Sequence, residues 1–240
     1  LCGWIGLEIG DVYGDGIRDF MTSAPTDGMG GTVFTYSSGS GELLWSTHGE
    51  EGANLGSGLE AAGDVNADGI PDVVAGAPAG NYALVLSGRD GELIWRLDAD
   101  AEAEGFGTQV GDAGDVDGDG HADVVIGAPT ADHGGTDAGR VYVFSGRDGS
   151  KLWTADGRAD GERLGSTVAG GSLDGESWVV GGADQGPAGG GIAYIWKGVD
   201  PEPVHRFEPL PSARAFGGMF ASMPGDVDGD GTADLYMSDW

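Results

Sequence analysis

DVDGDGHAD is the sequence of residues 115–123, and three other segments of the chain repeat its pattern. They read DVYGDGIRD at 11–19, DVNADGIPD at 64–72 and DVDGDGTAD at 226–234. The period is about 50 residues and the last gap holds two periods, which indicates a repeat protein with one degenerate copy. That copy is GGSLDGESWVVGGAD at 170–184, where most of the acidic loop is missing.

The same features flank the acidic segments. In the first three units an apolar run follows the acidic segment and closes on a small residue and proline, as in GAP at 76–78 and 127–129, and this closure decays to GAD at 182–184. Next comes a β-rich alternating run, such as VYVF at 141–144, then a turn and a short strand that ends in tryptophan. These tryptophans are Trp45, Trp95 and Trp153. Each unit therefore holds about four short strands.

A period near 50 with four strands per unit predicts an all-β fold, a β-propeller whose four-stranded antiparallel blades stack around an axis. A β-solenoid or a β-sandwich is the alternative, but solenoid coils repeat at about half this length and sandwiches do not repeat. We expect residues 1–240 to form a single domain. Its units lie approximately at 1–52, 53–103, 104–161, 162–214 and 215–240, the last one incomplete.

The chemistry of the acidic segment indicates a metal loop. Oxygen-bearing side chains occupy positions one, three, five and nine, and a glycine at position six permits the sharp turn that brings them together. With the carbonyl of position seven, this set of hard oxygen ligands suits Ca²⁺ better than Mg²⁺ or zinc. An EF-hand is rejected because position twelve, where that motif has glutamate, is Ala75, Ile126 or Met237.

Three full calcium sites are predicted. The ligands of the second unit are Asp64, Asn66, Asp68, Asp72 and the Ile70 carbonyl. Those of the third unit are Asp115, Asp117, Asp119, Asp123 and the His121 carbonyl. Those of the fifth unit are Asp226, Asp228, Asp230, Asp234 and the Thr232 carbonyl.

The other two units depart from the pattern. In the first unit Tyr13 takes position three, so the remaining ligands form a weaker site or one completed by water. These ligands are Asp11, Asp15, Asp19 and the Ile17 carbonyl. The fourth unit keeps only Asp174 and Glu176, and no calcium is expected there.

Asx-turns without metal are the alternative explanation of Asp-Gly loops. The chain has 40 acidic and 11 basic residues, a formal charge of −29, and its acids recur at constant phase. Clustered carboxylates repel one another unless cations neutralise them, which favours calcium. The same charge argues against nucleic acid as a partner and against anionic membrane surfaces.

Other functional signals are weak. Cys2 is the only cysteine, so the sequence has neither an intrachain disulfide nor a Cys-based zinc site, and no apolar run is long enough to predict a transmembrane segment. No serine lies in a Gly-x-Ser-x-Gly elbow, and calcium ligation accounts for most paired carboxylates. The tryptophans recur at one phase and are predicted to pack between blades rather than to bind sugar. We therefore predict no enzyme activity.

The chain resembles the FG-GAP repeat family of integrin α-subunits and bacterial surface proteins. Phe106-Gly107 and Phe216-Gly217 stand at one end of their units and Gly-Ala-Pro at the other. The resemblance implies that the metal loop joins the first two strands of each blade on one rim, and that the chain is part of a larger seven-bladed ring. The FG position is Cys2-Gly3, Leu55-Gly56 or Leu164-Gly165 in the other units, which requires only a buried apolar side chain there.

The function expected from these features is calcium-stabilised, non-catalytic binding or scaffolding in protein–protein interaction or cell adhesion. The partner would be a protein on a propeller rim or at the open fifth blade, which residues beyond Trp240 or another chain would complete. A glycan is the alternative ligand, bound by a lectin-like propeller or by an accessory domain of a polysaccharide-active enzyme. Loops of this kind stay filled in millimolar calcium, so an extracellular, cell-surface or periplasmic location is expected.

Overall fold

All regular elements of this computed structural model are β-strands within the residues that it describes. The described residues are 3–100, 105–173, 175–185, 190–208, 218, 221–229 and 234–238. Among them, no helix has the length and apolar character needed to span a bilayer. The predictions that concern Cys2, Asp174, Phe216-Gly217, Asp230 and Thr232 lie outside the described residues.

Eighteen strands are described. The first unit holds β1 (Gly6–Gly10), β2 (Asp19–Ala24), β3 (Thr32–Tyr36) and β4 (Leu43–His48). The second holds β5 (Gly58–Gly63), β6 (Asp72–Ala77), β7 (Tyr82–Leu86) and β8 (Leu93–Asp98). The third holds β9 (Gln109–Gly114), β10 (Asp123–Ala128), β11 (Arg140–Phe144) and β12 (Lys151–Asp156). The fourth holds β13 (Leu164–Leu173), β14 (Glu176–Ala183), β15 (Ile192–Lys197) and β16 (His205–Phe207), and the fifth β17 (Ala221–Gly225) and β18 (Asp234–Met237).

Each unit forms its own antiparallel sheet. The first four sheets are four-stranded meanders in chain order, and β17 pairs with β18 in the fifth. The first strand of each sheet lies against the first strand of the next, in the order β1, β5, β9, β13 and β17. Sheets arranged side by side through their first strands are the blades of a propeller. The predicted all-β propeller of four-stranded antiparallel blades is confirmed.

The hydrophobic core lies between consecutive blades. Side chains of a strand point alternately to its two faces, so Val73 packs toward the first blade and Val74 toward the third. In β10 likewise, Val124 faces the second blade and Val125 the fourth. Burying one such side chain contributes roughly 1.5–3 kcal/mol, and each blade obtains this only from its neighbours. This explains why β6 and β10, the second strands of the second and third blades, are continuous apolar runs rather than alternating ones.

Small residues let neighbouring blades approach closely. A Cβ atom built at Gly76 would lie 1.8 Å from the carbonyl oxygen of Gly107 in the next blade. Gly107 itself has a φ of +86°, a left-handed conformation that favours glycine. Phe106 before it is buried, and so are Leu55 and Leu164 at the equivalent positions. The expectation of a buried apolar residue at these positions is therefore confirmed.

The predicted role of the tryptophans is confirmed as well. Trp45 and Trp153 are buried in the cores between blades, and Trp95 is half-buried against the core between the second and third blades. The assignment of residues 1–240 to one domain with the unit boundaries given above stays a prediction.

Candidate metal centres

The acidic segments connect the first two strands of their blades. Residues 115–122 lie between β9 and β10, and the equivalent segments lie between β1 and β2 and between β5 and β6. Because successive blades have the same strand order, these loops occupy the same end of each sheet. This arrangement agrees with the placement that the resemblance implied.

The acid at position one organises the loop. Asp115 accepts hydrogen bonds from the amide of Asp119 at 2.9 Å and from that of Gly120 at 3.0 Å. Gly120, at position six, has a φ of +91°, which explains the glycine there. The second loop repeats the arrangement, with Asp64 accepting from Asp68 at 2.9 Å and from Gly69 at 2.8 Å.

Positions three and five form Asx-turns within the loop. In the third unit, Asp117 accepts from the Asp119 amide at 3.1 Å, and Asp119 accepts from the His121 amide at 3.0 Å. Such turns hold the loop shape and are compatible with either explanation of its acids. A carboxylate has about four lone-pair positions, so these single bonds leave capacity for a cation.

The acid at position nine is a buried anchor. Asp123 is fully buried, and it accepts from the Val116 amide at 2.6 Å and from the Gly146 amide at 2.8 Å. Burial raises the pKa of Asp123 to about 6 although these backbone bonds lower it, and the charges of Asp117 and Asp115 raise it further. The loop therefore concentrates negative charge around a desolvated carboxylate.

The anchor recurs in the other loops. Asp72 accepts from the Val65, Asn66 and Gly88 amides. Asp19 accepts from the Val12, Tyr13 and Ser38 amides, and Asp234 from the Val227 and Asp228 amides. Burial also raises the pKa of Asp72 to about 6, against its backbone bonds, with a contribution from the charge of Asp68.

Two of the predicted sites bring three carboxylates together. Oxygens of Asp115, Asp117 and Asp123 lie within 4.8 Å of one another. The corresponding set in the fifth unit meets the same limit and consists of Asp226, Asp228 and Asp234. Calcium binds oxygens at about 2.3–2.6 Å, so two oxygens on one ion lie at most about 5 Å apart. Both sets have the oxygen chemistry and the spacing of a calcium site.

The carboxylates of the first two loops are less closely grouped than those of the third and fifth loops, among the residues that the structure describes. Position three of the second loop offers the amide oxygen of Asn66, which accepts from the Asp68 amide at 2.9 Å. Asp68 also pairs with Arg89 at 3.3 Å, which draws its second oxygen toward the neighbouring turn. In the first loop Tyr13 is 60% exposed and provides no carboxylate at position three. Neither loop brings three carboxylate oxygens within the 4.8 Å limit in the part of the chain that the structure describes.

The side chain of His121 has a contact that sequence reasoning missed. Its carbonyl was the predicted ligand, but its ring Nδ1 also lies 2.7 Å from the carbonyl oxygen of Val65 in the second loop. The Ala122 amide donates to the Asp64 carbonyl oxygen at 3.1 Å as well. The second and third loops are therefore in direct contact across the blade interface.

The fourth blade replaces the acidic loop with a hairpin. The ladder between β13 and β14 continues to the pair Leu173 and Glu176. The hydroxyls of Ser172 and Ser177 lie 3.0 Å apart, and Ser177 donates to the Asp115 carbonyl oxygen at 2.6 Å. The position of Asp174 lies outside the described residues.

The comparisons with known proteins agree with this arrangement. The family model described as FG-GAP repeat matches residues 59–92 and 106–144, which contain the second and third loops. The chain belongs to the FG-GAP β-propeller family. Within this FG-GAP propeller, the matched segments hold two of the three predicted full calcium sites.

Curated relatives of the FG-GAP propeller are integrin α chains. Integrin alpha-PS5 of Drosophila melanogaster is 33% identical over 143 residues, 51% of this chain and 14% of that protein. Integrin alpha-5 of Xenopus laevis is 30% identical over 200 residues, 74% of this chain and 19% of that protein. Integrin alpha pat-2 of Caenorhabditis briggsae is 32% identical over 215 residues, 75% of this chain and 17% of that protein. The chain therefore spans less than a fifth of the length of these relatives.

Among solved structures, the biofilm matrix protein Bap1 of V. cholerae is similar with a TM-score of 0.44 and 17% identity. The similarity covers 90% of this chain and 40% of that one.

Proposed function

We propose that this FG-GAP propeller is a calcium-stabilised, non-catalytic module that binds a protein partner, in adhesion or assembly at the cell surface or in the periplasm. The observation that carries the proposal is the convergence of three carboxylates in the loops of the third and fifth units. Such a cluster is costly without a cation, because like charges at close range repel one another, and in the third unit its position-nine acid, Asp123, is also buried. The similarity to integrin α chains supports a protein as the partner.

The proposed calcium ligands are those of the sequence analysis. The third loop would supply Asp115, Asp117, Asp119, Asp123 and the His121 carbonyl, and the second and fifth loops their equivalents. Bound calcium would neutralise the acids and tie the ends of the first two strands together. The first loop would form a weaker site. Affinities of calcium loops extend to the 10⁻⁴–10⁻³ M range of extracellular modules, which supports a location where calcium is millimolar.

Calorimetric titration with calcium tests the metal component. We expect three stronger sites and one weaker one in the wild-type chain, and one strong site fewer in Asp119→Ala. Glu176→Ala is the matched control, because it removes an acid of the fourth unit that pairs with Lys197 on the surface. An identical stoichiometry in all three proteins would contradict the assignment of the third loop.

An array of extracellular proteins and an array of glycans, both probed with the labelled chain, test the binding component. Retention of a protein in millimolar calcium and its loss in chelator supports the proposal. Glycan binding that depends on calcium would favour a lectin-like role instead. Turnover of any arrayed substrate by the chain would refute the non-catalytic assignment.

A further inference from the structure

Each of the first three blades is linked to the next blade by one tryptophan. Their indole N–H groups donate across the interface to backbone carbonyl oxygens in the turn between the third and fourth strands of the following blade. The bonds run from Trp45 to Gly88 at 2.9 Å, from Trp95 to Gly146 at 2.6 Å and from Trp153 to Gly198 at 3.2 Å.

The accepting turn is also bound to the acidic loop of its own blade. The amide of Gly88 donates to Asp72 at 3.0 Å, and the amide of Gly146 donates to Asp123 at 2.8 Å. One turn residue thus joins the position-nine acid of its blade to a tryptophan of the preceding blade. We refer to Asp72–Gly88–Trp45 and Asp123–Gly146–Trp95 as the two relays.

The relays have little room to move. A Cβ atom at Gly88 would lie 1.9 Å from the carbonyl oxygen of Pro71, and one at Gly146 would lie 1.9 Å from that of Ala122. Pro71 and Ala122 occupy position eight of the second and third loops, directly before the anchoring acids. Because the turn rests on the end of the loop without a gap, a displacement of the loop is transmitted to the turn.

The fourth blade contains the tryptophan contact without the acid. The amide of Gly198 donates to the backbone carbonyl of Ser177 at 2.9 Å instead of to a carboxylate. Trp153 therefore reaches a turn that a strand-to-strand backbone bond holds in place. It is an internal control with the same interface contact and no position-nine acid behind it, and its one link to an acidic loop is the Ser177 hydroxyl, which donates to the Asp115 carbonyl oxygen.

We propose that calcium binding in the second and third loops is coupled to the interface with the preceding blade through the relays. The inference rests on the proposed calcium sites. A cation at the loop fixes the position-nine carboxylate, which fixes the turn amide and, through the turn carbonyl, the indole of the neighbouring blade. Coupling of this kind is reciprocal, so the tryptophan also affects calcium affinity.

NMR of the chain labelled with ¹⁵N in its tryptophan indoles and glycine amides tests the relays. The signals of Trp45, Trp95 and Trp153 are assigned with single Trp→Phe variants, and calcium is then titrated. The Trp45 and Trp95 signals should shift in parallel with the amides of Gly69 and Gly120 in the second and third loops. The Trp153 signal should shift less, because its turn is not bound to a position-nine acid. Asp68→Ala should abolish the Trp45 response and preserve that of Trp95, and Asp119→Ala should do the reverse.

The reciprocal measurement uses the tryptophan variants themselves. Trp45→Phe should weaken calcium binding at the second loop about fivefold, the low end of couplings between two sites, and leave the third loop unchanged. Trp153→Phe is the matched control and should leave the calcium affinity of the second loop unchanged. The indole signals that remain in each variant report whether it is folded.

The possible failures are distinguishable. Loop amides that shift with calcium while Trp45 and Trp95 stay in place, or shift no more than Trp153, overturn the relays and leave the calcium sites standing. Equal affinities in Trp45→Phe and Trp153→Phe also overturn them. Loop amides that do not respond to calcium refute the metal sites and the relays together.

Discussion

The third and fourth blades have the same strand order but close the connection between their first two strands differently. In the third blade, β9 and β10 have six residues each and an acidic loop joins them. In the fourth blade, β13 has ten residues and β14 has eight, and the ladder runs almost to the turn. Backbone hydrogen bonds therefore close this connection in the fourth blade, whereas a loop with clustered acids closes it in the third.

The two solutions have different electrostatic costs. The third loop holds a desolvated Asp123 whose pKa burial raises to about 6. The fourth blade places the hydroxyl of Ser177 at the corresponding interface, where it needs no counter-ion. We infer that the acidic blades depend on a cation and that the fourth blade does not. Four experiments test this difference, from the largest expected effect to the smallest.

Removal of calcium should lower Tm by more than about 10 °C. A ligand at about a hundredfold excess over its Kd contributes ~2.7 kcal/mol per site, and 1 kcal/mol corresponds to about 2–4 °C in a chain of this size. Differential scanning calorimetry at a calcium concentration about a hundredfold above the measured Kd, and in excess chelator, measures the change. Hydrogen exchange should then show protection lost in β10 and retained in β14. Equal melting curves in both buffers would refute the dependence on calcium.

Asp119→Ala should destabilise the chain in calcium by about 2–3 kcal/mol, in the range expected when one metal site is lost. Glu176→Ala removes only an exposed ion pair with Lys197 and should cost at most ~1 kcal/mol. Urea midpoints of the two variants, measured in calcium and in chelator, give the comparison. The gap between the variants should shrink in chelator. A gap that persists there would mean that the Asx-turns rather than the metal carry the effect.

Acidification should stabilise the calcium-free chain by several degrees between about pH 7.5 and about pH 5. The folded-state pKa of Asp72 and of Asp123 lies at about 6, above the ordinary value of 3.8, so folding favours proton uptake as the pH falls through 6. In saturating calcium the trend should reverse, since protons compete with the cation for the same carboxylates. Melting curves over this pH range, with Asp123→Asn as the variant that lacks one titrating group, provide the test. A stability that decreases as the pH is lowered in chelator would contradict the prediction.

Tyr13→Asp should have the smallest effect, a rise in the calcium affinity of the first loop of about tenfold, because affinity follows the number of charged ligands. The Tyr13 side chain is mostly exposed, so the substitution removes little packing. Calorimetric titration should show the weaker site joining the stronger class, with Tyr13→Phe unchanged from wild type. No gain in Tyr13→Asp would mean that position three is not a ligand in this loop.

Much of the architecture follows from short-range patterns in the sequence. The spacing of the acidic segments predicted the repeat, and the strand alternation predicted four strands per blade. The glycine at position six required a left-handed conformation, which Gly120 adopts. The buried state of Leu55 and Leu164 was also predictable, because the repeat places them where another unit has Phe106. These features follow from the sequence pattern of one unit, and a repeated unit shows that pattern several times.

The links between loops, turns and blades emerged only from the three-dimensional arrangement. Asp123 and Gly146 are 23 residues apart, His121 and Val65 are 56 residues apart, and their contacts form only after the strands pair and the blades pack. The attraction of Asp68 to Arg89 likewise depends on a turn that lies 21 residues further along the chain. Local composition favours an acid at position nine, but strand pairing within the blade decides which amide that acid holds. The packing of one sheet on the next decides which tryptophan lies behind it.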